Sequence, residues 1–175
     1  MASIAAGLAA ERIAVVRFEF PYMQRRRALG RRGVPDPMPA LEAAFVAVAG
    51  AFRKRARLFV GGKSMGARVA AHVAGGLGAR GVVALGYPFH PPNRPDKLRI
   101  EALRALEVPC LVVQGTRDPF GTREEVLSYE LPAHVRLSWV DDGDHSLVPR
   151  RASGRTEAQN LAEAVRASAR FLLAT

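Results

Sequence analysis

The stretch that decides the reading is Arg57–Gly76, RLFVGGKSMGARVAAHVAGG. Leu58-Phe59-Val60 reads as a short apolar strand, and Val69, Val73 and Leu77 mark the stripe of a helix. Between them stands a glycine turn with Ser64 at its apex. Gly62-Lys63-Ser64-Met65-Gly66 has the G-x-S-x-G spacing that lifts a serine on a sharp strand-to-helix turn. The glycines have a steric reason: the backbone there is strained, and neighbouring Cβ atoms would clash. Small residues at Gly66, Ala67, Ala70 and Ala71 let the helix lie close to a sheet. A phosphate-binding loop is a poor match, because the glycine it needs upstream is replaced by Arg57.

On the N-terminal side, Ser3–Glu11 suits a short helix with Ile4 and Leu8 on one face, and Ile13–Phe20 reads as a strand that Pro21 ends. Arg25-Arg26-Arg27, Arg31-Arg32 and the prolines that follow read as a basic loop, either lining a site mouth or simply solvated. Asp36 and Pro39 open a helix striped by Leu41, Phe45, Val48 and Phe52, with Arg53-Lys54-Arg55 complementing the negative end of its dipole. Beyond the serine turn, Gly81–Leu85, Val108–Gln114 and Arg136–Val140 read as strands. Leu98, Ala102 and Leu106 mark a helix. The pairs Thr122/Glu125 and Thr156/Gln159 have capping-box spacing, which predicts helices from about 123 to 130 and through Leu161, Val165, Ser168 and Leu172. Strands alternating with helices over short loops predict an α/β domain spanning 1–175, a mostly parallel sheet with helices on both faces.

Composition narrows the partners. The 175 residues are 49% hydrophobic without a run of about eighteen apolar residues, so no membrane span is expected. The start, MASIAAGLAAERIA, lacks a positive n-region and reads as a helix rather than a signal peptide. The single Cys110 lies in the apolar run VPCLVV and reads as a buried strand residue; one thiol makes no internal disulfide, which fits a cytoplasmic location. The net charge of +10 is nearly all arginine, and no nucleic-acid motif or interleaved aromatics accompany it, so nucleic acid is not the expected partner. The four histidines show no metal-ligand spacing, and no metal or other cofactor is expected.

A serine hydroxyl becomes a nucleophile when a histidine takes its proton, and the histidine must be oriented by a carboxylate. In parallel sheets such groups collect where strands end at their C-terminal edge. Asp118 in GTRDPFG follows the strand ending at Gly115, and His145 in DDGDHSL follows the strand ending at Val140. Asp141, Asp142 and Asp144 are alternative acids, but a carboxylate from a neighbouring strand end suits the geometry better. His72 points away from the turn, His134 precedes a strand at the wrong edge, and His90 either lines the pocket or makes a fixed loop hydrogen bond.

Phe18-Glu-Phe-Pro-Tyr-Met23, Gly62-Lys-Ser-Met-Gly66 with Arg68, Leu85-Gly-Tyr-Pro-Phe-His-Pro-Pro92, Gly115-Thr-Arg-Asp118 and Gly143-Asp-His-Ser146 together resemble one family. It is the α/β-hydrolase-like group that includes a testis-expressed protein, a subunit of the NSL histone acetyltransferase complex and bacterial proteins related to dienelactone hydrolase. The resemblance implies the α/β-hydrolase fold, the chain order Ser64, Asp118, His145 for a catalytic triad, and a loop at Tyr87–Pro92 near the site. Lys63, Tyr87 and His90 are the expected pocket-lining residues. The family takes one oxyanion-hole donor from the residue after the serine, here Met65, and a second from a loop before its first helix. This chain begins inside what resembles that helix, so the fold is expected to be N-terminally shortened, with about 9–10 Å between Ile13–Phe20 and the serine-bearing strand.

The leading expectation is therefore a serine hydrolase acting on a small-molecule acyl substrate, an ester, thioester or lactone. The alternative is a non-catalytic module of the same fold that binds a ligand or partner in the cleft.

Overall fold

Four short apolar runs make the sheet. The computed structural model describes residues 1–30, 34–52 and 57–175. Among these, β1 (Val60–Lys63), β2 (Val82–Leu85), β3 (Cys110–Gly115) and β4 (Val135–Val140) lie in the order β1-β2-β3-β4. Every neighbouring pair is parallel. The helices are α1 (Ala2–Ala10), α2 (Pro21–Leu29), α3 (Met38–Gly50), α4 (Met65–Leu77), α5 (Glu101–Arg104), α6 (Arg123–Leu127) and α7 (Glu157–Ala174). None of them is long and apolar enough to cross a membrane.

The period-two alternation of strand side chains divides the core in two. Val82, Ala84, Cys110 and Val112 face a cluster that includes Leu41 and Phe45 of α3 and Val69 and Val73 of α4. Val83, Leu85, Leu111 and Val113 face the opposite way, onto Ile4 and Leu8 of α1 and Ala164 and Phe171 of α7. A strand covered on both sides must be apolar at every position, which is why β2 and most of β3 read as continuous hydrophobic runs.

Both capping boxes form: Thr122 and Thr156 each accept from the backbone three residues on, and Glu125 and Gln159 reach back to the cap. α6 nevertheless ends at Leu127, because Ser128 turns its hydroxyl onto the carbonyl of Glu125. The predicted stripe of α7 is also found, with Ser168 buried and its hydroxyl donating to the Ala164 carbonyl.

Three expectations are corrected. Ile13–Phe20 is extended but joins no ladder; its β-branched and aromatic composition serves packing instead, with the rings of Phe18 and Phe20 set against Phe45. Arg25-Arg26-Arg27 of the basic segment after it lie in a helix, not a loop. Pro21 opens α2 at a position where its missing N–H costs nothing, and Gly30 closes that helix in the left-handed region. Around α5 the buried residues are Ile100, Leu103 and Leu106, while Leu98 is exposed; a single helical turn cannot carry a stripe as long as the one expected. Arg53-Lys54-Arg55 and Arg31-Arg32 lie outside the described residues.

Leu41 is fully buried between α3 and the sheet cluster, whereas Val46 on the same helix is exposed. Leu41→Ala is expected to cost about 2–5 kcal/mol in a urea unfolding titration. Val46→Ala should stay within about 0.5 kcal/mol of the parent.

Candidate active site

The site grows from the C-terminal ends of β1, β3 and β4. β1 runs into α4 through Ser64, whose φ of 54° and ψ of −116° lie outside the usual regions for a side-chain-bearing residue. The turn closes only because Gly62 has no side chain: a Cβ there would stand 2.5 Å from the Gly66 carbonyl carbon. The Ser64 N–H donates to Leu85 O at 3.0 Å, which locks the strained residue onto the end of β2. Ser64 O in turn accepts from the N–H groups of Ala67 and Arg68, starting the helix. Met65, the first residue of α4, has an N–H that no intrahelical carbonyl can reach, and it adjoins the hydroxyl.

Asp118 and His145 meet Ser64 across the sheet edge, although 81 residues separate Ser64 from His145 in the chain. Ser64 Oγ lies 2.9 Å from His145 Nε2, and His145 Nδ1 lies 2.8 Å from Asp118 Oδ2. A carboxylate only accepts, so Nδ1 carries the proton and Nε2 is left to accept from the serine. Asp118 is completely buried and His145 about one-fifth exposed, so the histidine bridges a dry acid and a hydroxyl near the surface. The ring of Phe120 packs on the imidazole at a centroid distance of 4.2 Å. On its other side, Gly86 (φ 57°) makes room: a Cβ there would meet His145 O at 3.0 Å.

The acidic loop that carries His145 is scaffold rather than a source of the acid. Asp142 and Leu147 both have left-handed φ, 52° and 66°. The Asp142 carboxylate accepts from the Arg150 backbone N–H (2.7 Å) and from Arg150 Nε (2.8 Å), and it forms an ion pair at 2.9 Å with Arg117 Nε, which donates to the Asp142 carbonyl. Those hydrogen bonds from Arg150, with the nearby Arg117 charge, hold its carboxyl down at about 2. Asp144 Oδ1 accepts from the N–H groups of Ser146 and Val148 and so shapes the turn.

Of the expected pocket-lining residues, only Lys63 is partly exposed. Its ammonium donates to Ser146 Oγ at 3.2 Å, beside the histidine. Tyr87 and His90, expected on the pocket wall, are buried, at 0% and 2% exposure. The Tyr87 hydroxyl donates to Arg99 O, and burial pushes its ionisation well above the usual range. His90 sits between Pro91 O (2.8 Å) and Glu125 (3.4 Å), the fixed loop contact that was its other reading. His72 is half-exposed beside Glu42 on α3. Burial pushes the Cys110 thiol up to about 12, which keeps it inert. Among the described residues, no three His, Cys, Asp or Glu side chains converge to hold a metal.

Sequence reasoning missed Gln114 and Phe120. Gln114 is wholly buried, and its carboxamide bonds to both Tyr87 and Asp118. Its signal was legible: a lone polar residue in the apolar run LVVQG has to find partners inside the protein.

The Asp142 clamp carries a pH signature. A carboxyl lowered from 3.8 to about 2 on folding contributes stability that is fully present above about pH 4 and is lost as the pH falls through about 2. Asp142→Asn is expected to melt at a lower temperature than the parent at pH 7. The gap should shrink on going from pH 4 to pH 2, as followed by circular dichroism.

An α/β serine hydrolase homologue from Coxiella burnetii superposes with a TM-score of 0.70 at 18% identity, covering 97% of this chain and 76% of that one. The esterase domain of a Rhodothermus marinus protein gives 0.65 at 19%, covering 97% and 77%. A lidless α/β serine hydrolase from Xanthomonas campestris gives 0.54 at 21%, covering 78% and 60%. At these identities the likeness speaks for the fold, and the family model for the alpha/beta hydrolase domain matches residues 1–173. The chain belongs to the alpha/beta hydrolase domain family.

Proposed function

We propose that this chain is a serine hydrolase that cleaves small-molecule esters, thioesters or lactones through an acyl-enzyme. The observation that carries the reading is the unbroken run Ser64 Oγ, His145 Nε2, His145 Nδ1, Asp118 Oδ2, with bonds of 2.9 and 2.8 Å. A chain of that polarity moves a proton in one direction. As Ser64 Oγ attacks the acyl carbon, Nε2 takes its proton, and the carbonyl oxygen gains the electron pair of the broken π bond. The Met65 N–H, at the positive end of α4, stabilises that oxyanion. Collapse of the intermediate expels the alcohol or thiol, which leaves with the proton held by His145. Water then repeats the sequence on the acyl-serine and regenerates both groups.

Asp118 serves as orienter: it accepts from Nδ1–H, which keeps the tautomer that presents a free Nε2 to the serine. Among the described residues, no cationic side chain is bonded to the buried carboxylate, so the charge His145 acquires during attack finds its counter-charge there. The likeness to a serine hydrolase homologue from Coxiella burnetii and to an esterase domain from Rhodothermus marinus supports the same chemistry. Within the family, the K-S-M-G and G-Y-P-F-H-P-P motifs favour the dienelactone-hydrolase-related branch.

Labelling with a fluorophosphonate, followed by peptide mass spectrometry, tests the reading. The wild type should carry the adduct on Ser64 and hydrolyse p-nitrophenyl acetate. Ser64→Ala should do neither, and Asp118→Asn should lose about 10⁴-fold in turnover. A wild type left unlabelled while correctly folded would instead support a non-catalytic binding module.

A further inference from the structure

The Gln114 carboxamide makes four hydrogen-bond contacts beneath the site, and the reaction as described makes no use of it. Its orientation is set by one contact. The Tyr87 N–H donates to Gln114 Oε1 at 2.8 Å, and only the oxygen of an amide can accept. The nitrogen must therefore face the other way, where Asp118 Oδ2 lies at 2.9 Å and the carbonyls of Tyr87 and Gly121 each lie at 3.2 Å. Gln114 thus donates to the same carboxylate oxygen that receives the proton of His145 Nδ1. The second oxygen, Oδ1, accepts from the Phe120 N–H at 2.9 Å.

We propose that Gln114 is a positioning residue of the Ser64 reaction: it fixes the Asp118 oxygen used by His145 and ties it to the loop that leaves β2. Three features support this beyond hydrogen-bond satisfaction. First, without the Gln114 donor, Oδ2 itself would be held only by the histidine it is meant to orient, and the Phe120 N–H on Oδ1 would be left as the one other restraint on the Asp118 Cβ–Cγ torsion. Second, the same side chain grips both the N–H and the C=O of Tyr87, the residue after Gly86, and Gly86 is where the backbone makes room for His145. The acid and the seat of the base are therefore indexed to one group. Third, Gln114 is the penultimate residue of β3, paired in register with Trp139 of β4, so its Cα is held by the sheet rather than by a loop. A position error of about 1 Å in such an arrangement costs about 10²-fold in rate.

The inference rests on Ser64 being the nucleophile, and Gln114→Met tests it separately. Methionine keeps the length and volume and removes the donor. With a folded variant, confirmed by its melting curve, turnover of p-nitrophenyl acetate should fall about 10²-fold while KM stays within about twofold. The rate of fluorophosphonate labelling should fall by the same factor. A residue that only filled the core would change the melting temperature and leave that split unmoved. Labelling of the wild type at Ser64 with an equally fast Gln114→Met variant overturns the Gln114 role alone; absence of labelling in the wild type removes the hydrolase reading and this role together. If the variant does not fold, the wild type decides. The Gln114 side-chain amide proton signals, assigned by nitrogen-15 NMR, should exchange slowly and shift when Ser64 is phosphonylated. Signals that stay unmoved on phosphonylation defeat the role.

Discussion

The site depends on a staircase of ladder hydrogen bonds that continues one residue beyond three parallel strands. Ser64 N–H donates to Leu85 O, Gly86 N–H to Val113 O, and Thr116 N–H to Val140 O. Each bond takes the first residue past one strand and fastens it to a carbonyl at or near the C-terminal end of the neighbour. Parallel register thereby becomes a positional rule: the serine, the seat of the histidine and the turn leading to the acid are set by backbone contacts before any side chain meets another. A slip of one residue in any pair would reverse the faces of a strand, exchanging Val112 with Val113 and breaking both cores. The apolar cores are thus what hold the site in register.

Strain is concentrated where that register delivers the functional groups. Ser64, Asp142 and Leu147 are side-chain-bearing residues with positive φ, and the last two bracket His145. Each such residue costs on the order of 1–3 kcal/mol. Local bonds offset the cost: the Leu85 carbonyl at Ser64, the two arginines on Asp142, and Asp144 on the turn. Asn160 adds to this from α7, donating to Leu147 O at 2.8 Å. The long C-terminal helix therefore does more than cover the sheet; it holds the loop that carries His145.

Much of this was legible in the chain because local signals and global demands coincide there. The G-x-S-x-G turn needs glycine at Gly62 for a contact within five residues, and the two capping boxes are complete within four. Asp118 and His145 could be ordered because each lies just past a strand that periodicity had already located. The misreadings have the opposite character. Ile13–Phe20 has strand composition, but whether an extended segment joins a ladder depends on what stands about 4.8 Å beside it, which is a tertiary fact. α2 was hidden because Pro21 serves equally to end a strand and to begin a helix. Tyr87 and His90 were placed near the site along the chain; the loop folds their side chains inward instead, where Phe89 and Tyr129 share the same aromatic cluster.

The two well-bonded aspartates near His145 illustrate why hydrogen bonding alone does not identify a catalytic acid. Asp142 is three residues from His145 and has the stronger partners, yet its carboxylate is bonded by Arg150 and ion-paired with Arg117. Their cations already answer its charge, which leaves it little to offer an imidazolium. Asp118 is 27 residues away, and its bonded partners are neutral amides and the imidazole itself. A buried carboxylate held by neutral donors keeps its full field, and burial makes that field long-ranged. In the proposed reaction a positive charge appears on His145 when Ser64 gives up its proton. An acid partnered by arginines is suited to building a loop, and one partnered by amides is suited to stabilising a charge that comes and goes.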